Sequence, residues 1–415
     1  MENFNELLDK YAQLLIKKSI QVESQENVMI YIDIDQAPLA RLLAKHAYEA
    51  GAKRVYFTWQ DDSIKKMDYQ YVASENLTTI EEYTIARDKD LIENKKISRL
   101  SVISSDPNLL DDIPDEKIHR VQKANSLAFE ARREATMKNA IKWGVAAAAS
   151  YGWARHVFPE LADDPESCVD ALWHEIFKAC RVYEDDPVAA WDQHKDNLEK
   201  RAAYMNDQQF DGLHYLAPGT DLYLGLPKNH IWTSAESLSQ DGKPFIANMP
   251  TEEIFTAPDT RRMSGYVRST KPLSYANTTI KGIEVHFEDG QISQITADQG
   301  QKILEDLIEN NDGARGLGEV ALVPHRSPIS LSNLTFYNTL FDENASNHLA
   351  IGAAYPTTVK NTEGMSDEEL QAIGLNVSNV HVDFMIGSET MDIYGIRANG
   401  EEVPIFKQGE WAFSV

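Results

Sequence analysis

"NVMIYIDIDQAPLARLLAKHAYEAGAKRVYFTW" (residues 27–59) reads as strand, helix, strand. NVMIYIDI (27–34) is an apolar run that suits a strand buried on both faces. Leu39, Leu42 and Leu43 then recur at helical spacing, and the helix is expected to end near Gly51. RVYFTW (54–59) is the second strand. Two strands joined through a helix imply a right-handed crossover and parallel pairing. ISRLSVISS (97–105) supplies a third strand and KWGVAAAAS (142–150) a fourth, with a long helix through Ile118, Val121, Leu127 and Phe129 between them. The first half is therefore expected to be an α/β domain, with a parallel sheet and helices on both faces. Phe4, Leu7, Leu8, Tyr11, Leu14 and Leu15 form one stripe of an amino-terminal amphipathic helix, and residues 165–208 read as helix again.

The pattern changes near Asp211. GIEVHFEDGQISQI (282–295) alternates around Asp289-Gly290, the dipeptide of a type I′ hairpin turn. DIYGIRANGEEVPIF (392–406) repeats the device around Asn399-Gly400. Between them lies one expected helix, capped by Asp298 and stopped near Gly313. We expect an N-terminal α/β domain over 1–210 and a C-terminal mixed α+β metal-binding domain with antiparallel hairpins over 211–415.

The chain carries 65 acids against 40 bases. That surplus repels nucleic acid and anionic membranes and suits a neutral or ammonium-bearing substrate. Two cysteines, Cys168 and Cys180, are too few for a disulfide scaffold in 415 residues and fit a reducing, cytoplasmic setting. No apolar run is long enough to span a bilayer.

Some motifs dissolve on inspection. GLGEVA (316–321) matches a dinucleotide fingerprint, but the expected helix precedes it and a strand follows, the reverse of what a phosphate-binding turn needs. HEIFK (174–178) has Lys178 where a second metal-binding histidine would stand. Asp33 and Asp35 end the first strand, where a helix-capping role is the simpler reading.

The second half holds a denser set. NMPTEEIFTAPD (248–259) sets Glu252 and Glu253 between prolines. GLGEVALVP (316–324) starts an apolar strand with Glu319. NASNHLAIGAAYP (344–356) places His348 among small residues, with Tyr355 seven positions on. NVHVDFMIGS (379–388) puts His381 and Asp383 on one face of an apolar strand, ~6.6–7 Å apart. Unpaired charges in such surroundings are costly, and a divalent metal pair removes that cost. Carboxylates and imidazoles without thiols favour zinc, cobalt or manganese. Two such ions can polarise a carbonyl and share a hydroxide nucleophile.

Spacing alone does not bring these side chains together. NMPTEEIFTAPD, GLGEVALVP, NHLAIG, AYP and HVDFMIGS resemble, in order and spacing, the aminopeptidase T / aminopeptidase S family of metallo-aminopeptidases. The resemblance spans nearly the whole chain. It implies a cocatalytic two-metal exopeptidase acting on peptides with a free N-terminus, built as a homodimer. Carried over by motif, the metal ligands are Glu253, Glu319, His348, His381 and Asp383, with Tyr355 beside them. In that mechanism Glu319 or Glu253 relays the proton to the leaving amine, and Tyr355 donates to the oxyanion. Two rivals are another dimetal hydrolase, such as a phosphoesterase, with Arg261, Arg262, Arg315 and Arg326 close to the motifs, and a non-catalytic metal-containing ligand-binding protein.

Overall fold

Asn27–Asp33 (β1) lies beside Arg54–Gln60 (β2) and Ile97–Ile103 (β3), parallel to both, and β3 pairs in parallel with Trp143–Ala147 (β4). The strand order is β2-β1-β3-β4. The helix Ala37–Glu49 buries Leu39, Ala40, Leu43 and Ala47, and Gly51, at φ +93°, takes the left-handed turn that ends it. These elements belong to a computed structural model that describes residues 3–94, 97–276 and 278–415. The chain forms two units, one of 1–193 with 236–250 and one of 194–235 with 251–415.

Several elements differ from their sequence reading. The long helix is two, Asp115–Ala128 and Glu130–Met137, because Phe129 leaves the helical basin at φ −107°, ψ 27°. The 165–208 stretch is also two, Pro165–Ala179 and Pro187–Gln208. Each opens on a proline, which fits a first helical turn and cannot continue a preceding one. The amino-terminal helix Phe4–Leu14 widens into a π turn over Leu15–Ser19.

The second unit carries an eight-stranded antiparallel sheet in which each hairpin takes its expected place. Asp289 and Gly290 both have positive φ, +50° and +81°, as a type I′ turn requires. The second hairpin is built differently. Only Gly400 is left-handed (φ +83°), and Asn399 Oδ1 accepts the Glu401 N–H at 3.0 Å. Asp298 is not a helix cap. The helix Gln301–Glu309 starts after Gly300 at φ +82°, and the Asp298 carboxylate pairs with Arg268 at 2.6 Å. No helix among the described residues is long and apolar enough to cross a membrane.

A second, four-stranded sheet of this unit positions the site. Its order is His381–Met385, His348–Gly352, Leu317–Leu322, Ile254–Thr256, antiparallel throughout. The two inner strands are buried along their whole length.

Candidate metal centre

In antiparallel sheets, directly opposed residues project from the same face. Glu319 opposes Ala350, and Ala350 opposes Asp383. A single methyl group thus stands between two carboxylates that lean over it. His348 lies two residues before Ala350 on that face, and Gly352, two residues after it, opposes His381. Gly352 has φ +107°, and a Cβ there would meet the Val380 carbonyl at 2.1 Å, so only glycine fits. Glu253 enters from the residue preceding the Ile254–Thr256 strand. The central strand therefore offers one imidazole and two small residues, and the ligating groups of its neighbours close over it.

Two donor groups result. Glu253, Glu319 and His348 form one, and Glu319, His381 and Asp383 the other, with donor atoms inside each group within 4.8 Å of one another. Glu319 belongs to both. His348 Nε2 is 3.2 Å from Glu253 Oε2 and 3.4 Å from Glu319 Oε1. His381 Nε2 is 3.3 Å from Asp383 Oδ1 and 3.7 Å from Glu319 Oε2. The opposite ring nitrogens are held by backbone carbonyls: Nδ1 of His348 lies 3.2 Å from Ser346 O, and Nδ1 of His381 lies 2.8 Å from Ala353 O. That arrangement fixes each ring and aims Nε2 at the carboxylates, the nitrogen a metal ion would take once its proton is lost.

The donors fit a divalent ion on their own geometry. Glu253 Oε2 and Asp383 Oδ1 are shielded from solvent and accept no hydrogen bond among the described residues, although an imidazole stands close to each. A buried carboxylate oxygen in that state is costly unless a cation faces it. Three carboxylates and two imidazoles suit zinc, cobalt or manganese. Burial opposes an imidazolium at His348, yet the Glu253 and Glu319 carboxylates hold its pKa well above the ordinary value. Burial likewise opposes charge on His381, but Asp383 and Glu319 push it up to about 10. Burial raises the pKa of Glu319.

A family model described as "Thermophilic metalloprotease (M29)" matches residues 4–411. The chain belongs to this metalloprotease family. It is 53% identical over 411 residues to aminopeptidase PepS of Streptococcus thermophilus, covering 99% of both chains. It is 45% identical to aminopeptidase AmpS of Bacillus subtilis (strain 168) over the full length of both. The structure of wild-type AmpT from Thermus thermophilus superposes with a TM-score of 0.93 at 36% identity, over 99% of this chain and 100% of that one.

Within this member of the metalloprotease family, Tyr355 stands beside the cluster. Its ring centroid is 5.3 Å from that of His381 and 6.2 Å from that of Phe255. Its backbone is extended (φ −82°, ψ 116°), as the following Pro356 demands. Burial first, and the Glu319 and Asp383 charges next, push the phenol well above its usual pKa, so it keeps its proton.

Glu252 points elsewhere. Its Oε2 lies 3.5 Å from His194 Nε2, and its N–H donates to Asn344 Oδ1 at 2.7 Å. Glu343 was missed by sequence reasoning. Burial, and then the charges of Glu253 and Asp383, raise its pKa well above the ordinary value, which places it in the field of the cluster. In sequence it sits in FDEN, which reads as a solvated acidic turn.

The discounted motifs have other roles. Asp33 accepts the Asp35 N–H at 2.9 Å as the cap of the Ile34–Gln36 turn. A Cβ on Gly318 would meet the Ala353 carbonyl at 2.0 Å, so that glycine serves strand approach. His174 contacts Tyr183 Oη at 2.7 Å and His286 contacts Glu284 at 2.9 Å. Neither they nor His325 belong to a donor group among the described residues.

Proposed function

We propose that this protein is an aminopeptidase that removes N-terminal residues from peptides, with residues 211–415 as its catalytic domain. The observation that carries the reading is the pair of donor groups sharing Glu319. Glu253, Glu319 and His348 would hold one divalent ion, and Glu319, His381 and Asp383 a second. Bound there, zinc, cobalt or manganese ions supply Lewis acidity to the scissile carbonyl and lower the pKa of water.

The chain's own side chains do the rest. Both oxygens of Glu319 face an imidazole, so Glu253 is the better carrier of the proton to the leaving amine. Tyr355 donates its hydroxyl hydrogen to the tetrahedral oxyanion. Glu343, whose pKa burial and the Glu253 and Asp383 charges raise, offers an acceptor oxygen on the side of the cluster where the substrate's α-ammonium would lie. The His381 side chain is 24% exposed and that of His348 1%, so substrate reaches the centre from the His381 side, past Tyr355.

A phosphoesterase would need cations free to meet an anionic substrate. Arg261 is held by Asp259 at 2.7 Å, Arg262 by Asp211 at 2.8 Å, and Arg315 by the Ile292 carbonyl at 3.1 Å. Arg326 is exposed. None of the four belongs to the cluster. Cys168 and Cys180 are buried and in no disulfide among the described residues, which supports a cytoplasmic setting, and a homodimer follows from the family resemblance. Leucine p-nitroanilide assayed against p-nitrophenyl phosphate, with and without chelator, tests the reading. We expect turnover of the anilide only, lost on chelation and restored by zinc, cobalt or manganese. Full anilide turnover by protein shown metal-free by elemental analysis would contradict it.

A further inference from the structure

Arg99 is an oddity of the parallel sheet. It lies within β3, between strands on both sides, where a guanidinium is expensive to desolvate. Its Nε is buried and finds no hydrogen-bond acceptor. Burial first, and the charge of Arg132 next, lower its pKa.

Arg99 borders an open surface pocket of about 600 Å³ lined by residues of the helices Asp62–Tyr71, Asp115–Ala128 and Glu130–Met137. Lys65, Arg99, Arg132 and Arg133 line it, and among the described residues no carboxylate does. In a chain of net charge −25, such a wall runs against composition. Nearby acids are already engaged. Asp88 accepts from Tyr31 Oη at 2.8 Å and pairs with Arg132 at 3.6 Å. Glu130 pairs with Arg133 at 3.5 Å, and Glu134 with Lys138 at 2.8 Å. Arg99 has no ion pair among the described residues. Arg132 is held over the Phe129 ring at 4.5 Å and near the Tyr31 ring at 5.4 Å, so its planar fork is preorganised.

We propose that this pocket is a binding site for a phosphorylated small molecule. Arg132 and Arg133 already face Asp88 and Glu130, which leaves Arg99 and Lys65 without an ion pair among the described residues, and two such cations on one wall match the charge of a phosphate monoester. The volume exceeds what a bare phosphate needs and falls within the ~300–1,000 Å³ of small-molecule sites. The Phe129 ring and the Asn125 amide line the same pocket and can receive the rest of such a ligand. A polyanionic macromolecule is disfavoured by the charge of the whole chain.

The test is calorimetric titration of the full-length protein with adenosine 5′-monophosphate, inorganic phosphate, adenosine and acetate at matched ionic strength. Each titration is run on metal-loaded and on chelated protein. The expected result is saturable binding of the monophosphate, weaker binding of phosphate and none of adenosine or acetate, unchanged by chelation. Arg99→Met and, at the exposed rim, Lys65→Ala should each weaken monophosphate binding at least tenfold. Monophosphate binding that disappears on chelation would assign the probe to the metal centre and overturn the proposal without touching the aminopeptidase reading. Absence of saturable binding, equal binding of adenosine, or unchanged affinity in both variants would also overturn it.

Discussion

At Tyr355 a single oxygen distinguishes a chemical role from a packing one. The ring lies against His381 and Phe255, and Tyr355→Phe keeps that ring while deleting the donor. Loss of one oxyanion donor typically costs about 2.7–4 kcal/mol of barrier, roughly a hundred- to thousand-fold in rate. We expect kcat to fall by that factor, with little change in KM and full metal content. Near-normal turnover would assign Tyr355 to packing. The two imidazoles make a separate prediction. In metal-free protein the surrounding carboxylates raise both His pKa values, that of His381 to about 10. A raised histidine stabilises the fold fully below its unfolded pKa of about 6.5 and loses that contribution as pH climbs through the folded value. Ions need the neutral ring, so loading near pH 7 must release protons. Titration calorimetry in two buffers of different ionisation enthalpy should report at least one proton released per chain. A binding enthalpy independent of buffer would contradict it.

At the scale of the element, the row Glu319–Ala350–Asp383 depends on a small residue at its centre. Ala350 is fully buried, so Ala350→Leu forces the flanking carboxylates apart and overpacks the sheet, at a cost of about 1–3 kcal/mol. We predict that its metal affinity falls at least tenfold in equilibrium dialysis while circular dichroism retains the native pattern. Unchanged affinity would show that the row does not set the spacing of the carboxylates. The same scale shows what the sequence could express. Strands β1 and β4 were legible from their apolar runs, and β2 and β3 from β-branched and aromatic residues that recur despite Ser98, Arg99 and Ser101 in β3. The helices Asp62–Tyr71 and Glu82–Glu93 were not, because each buries a single side chain, Tyr69 and Leu91 respectively, and no stripe repeats. The split at Phe129 left no proline or glycine to read. His381 and Asp383 stood out as polar side chains on one face of an apolar strand. Their convergence with Glu319 depends on cross-strand register through Ala350, which local pattern does not encode. Glu343 was invisible for the opposite reason, since an acidic residue in an acidic turn draws no notice.

Across the whole molecule, the five side chains of the cluster all lie in the second unit, and the cationic pocket lies in the first. Neither the overall charge nor the parallel sheet supplies the peptidase chemistry. That rests on the four-stranded sheet and on Glu319 serving two donor groups at once. Anomalous diffraction from crystals of the zinc-loaded protein, collected at the zinc edge, tests this most directly. The account predicts two peaks per chain about 3.5–4 Å apart, one against Glu253 and His348, the other against His381 and Asp383, with a Glu319 oxygen ~2.0–2.2 Å from each. A single peak, or two peaks that do not share Glu319, would contradict it.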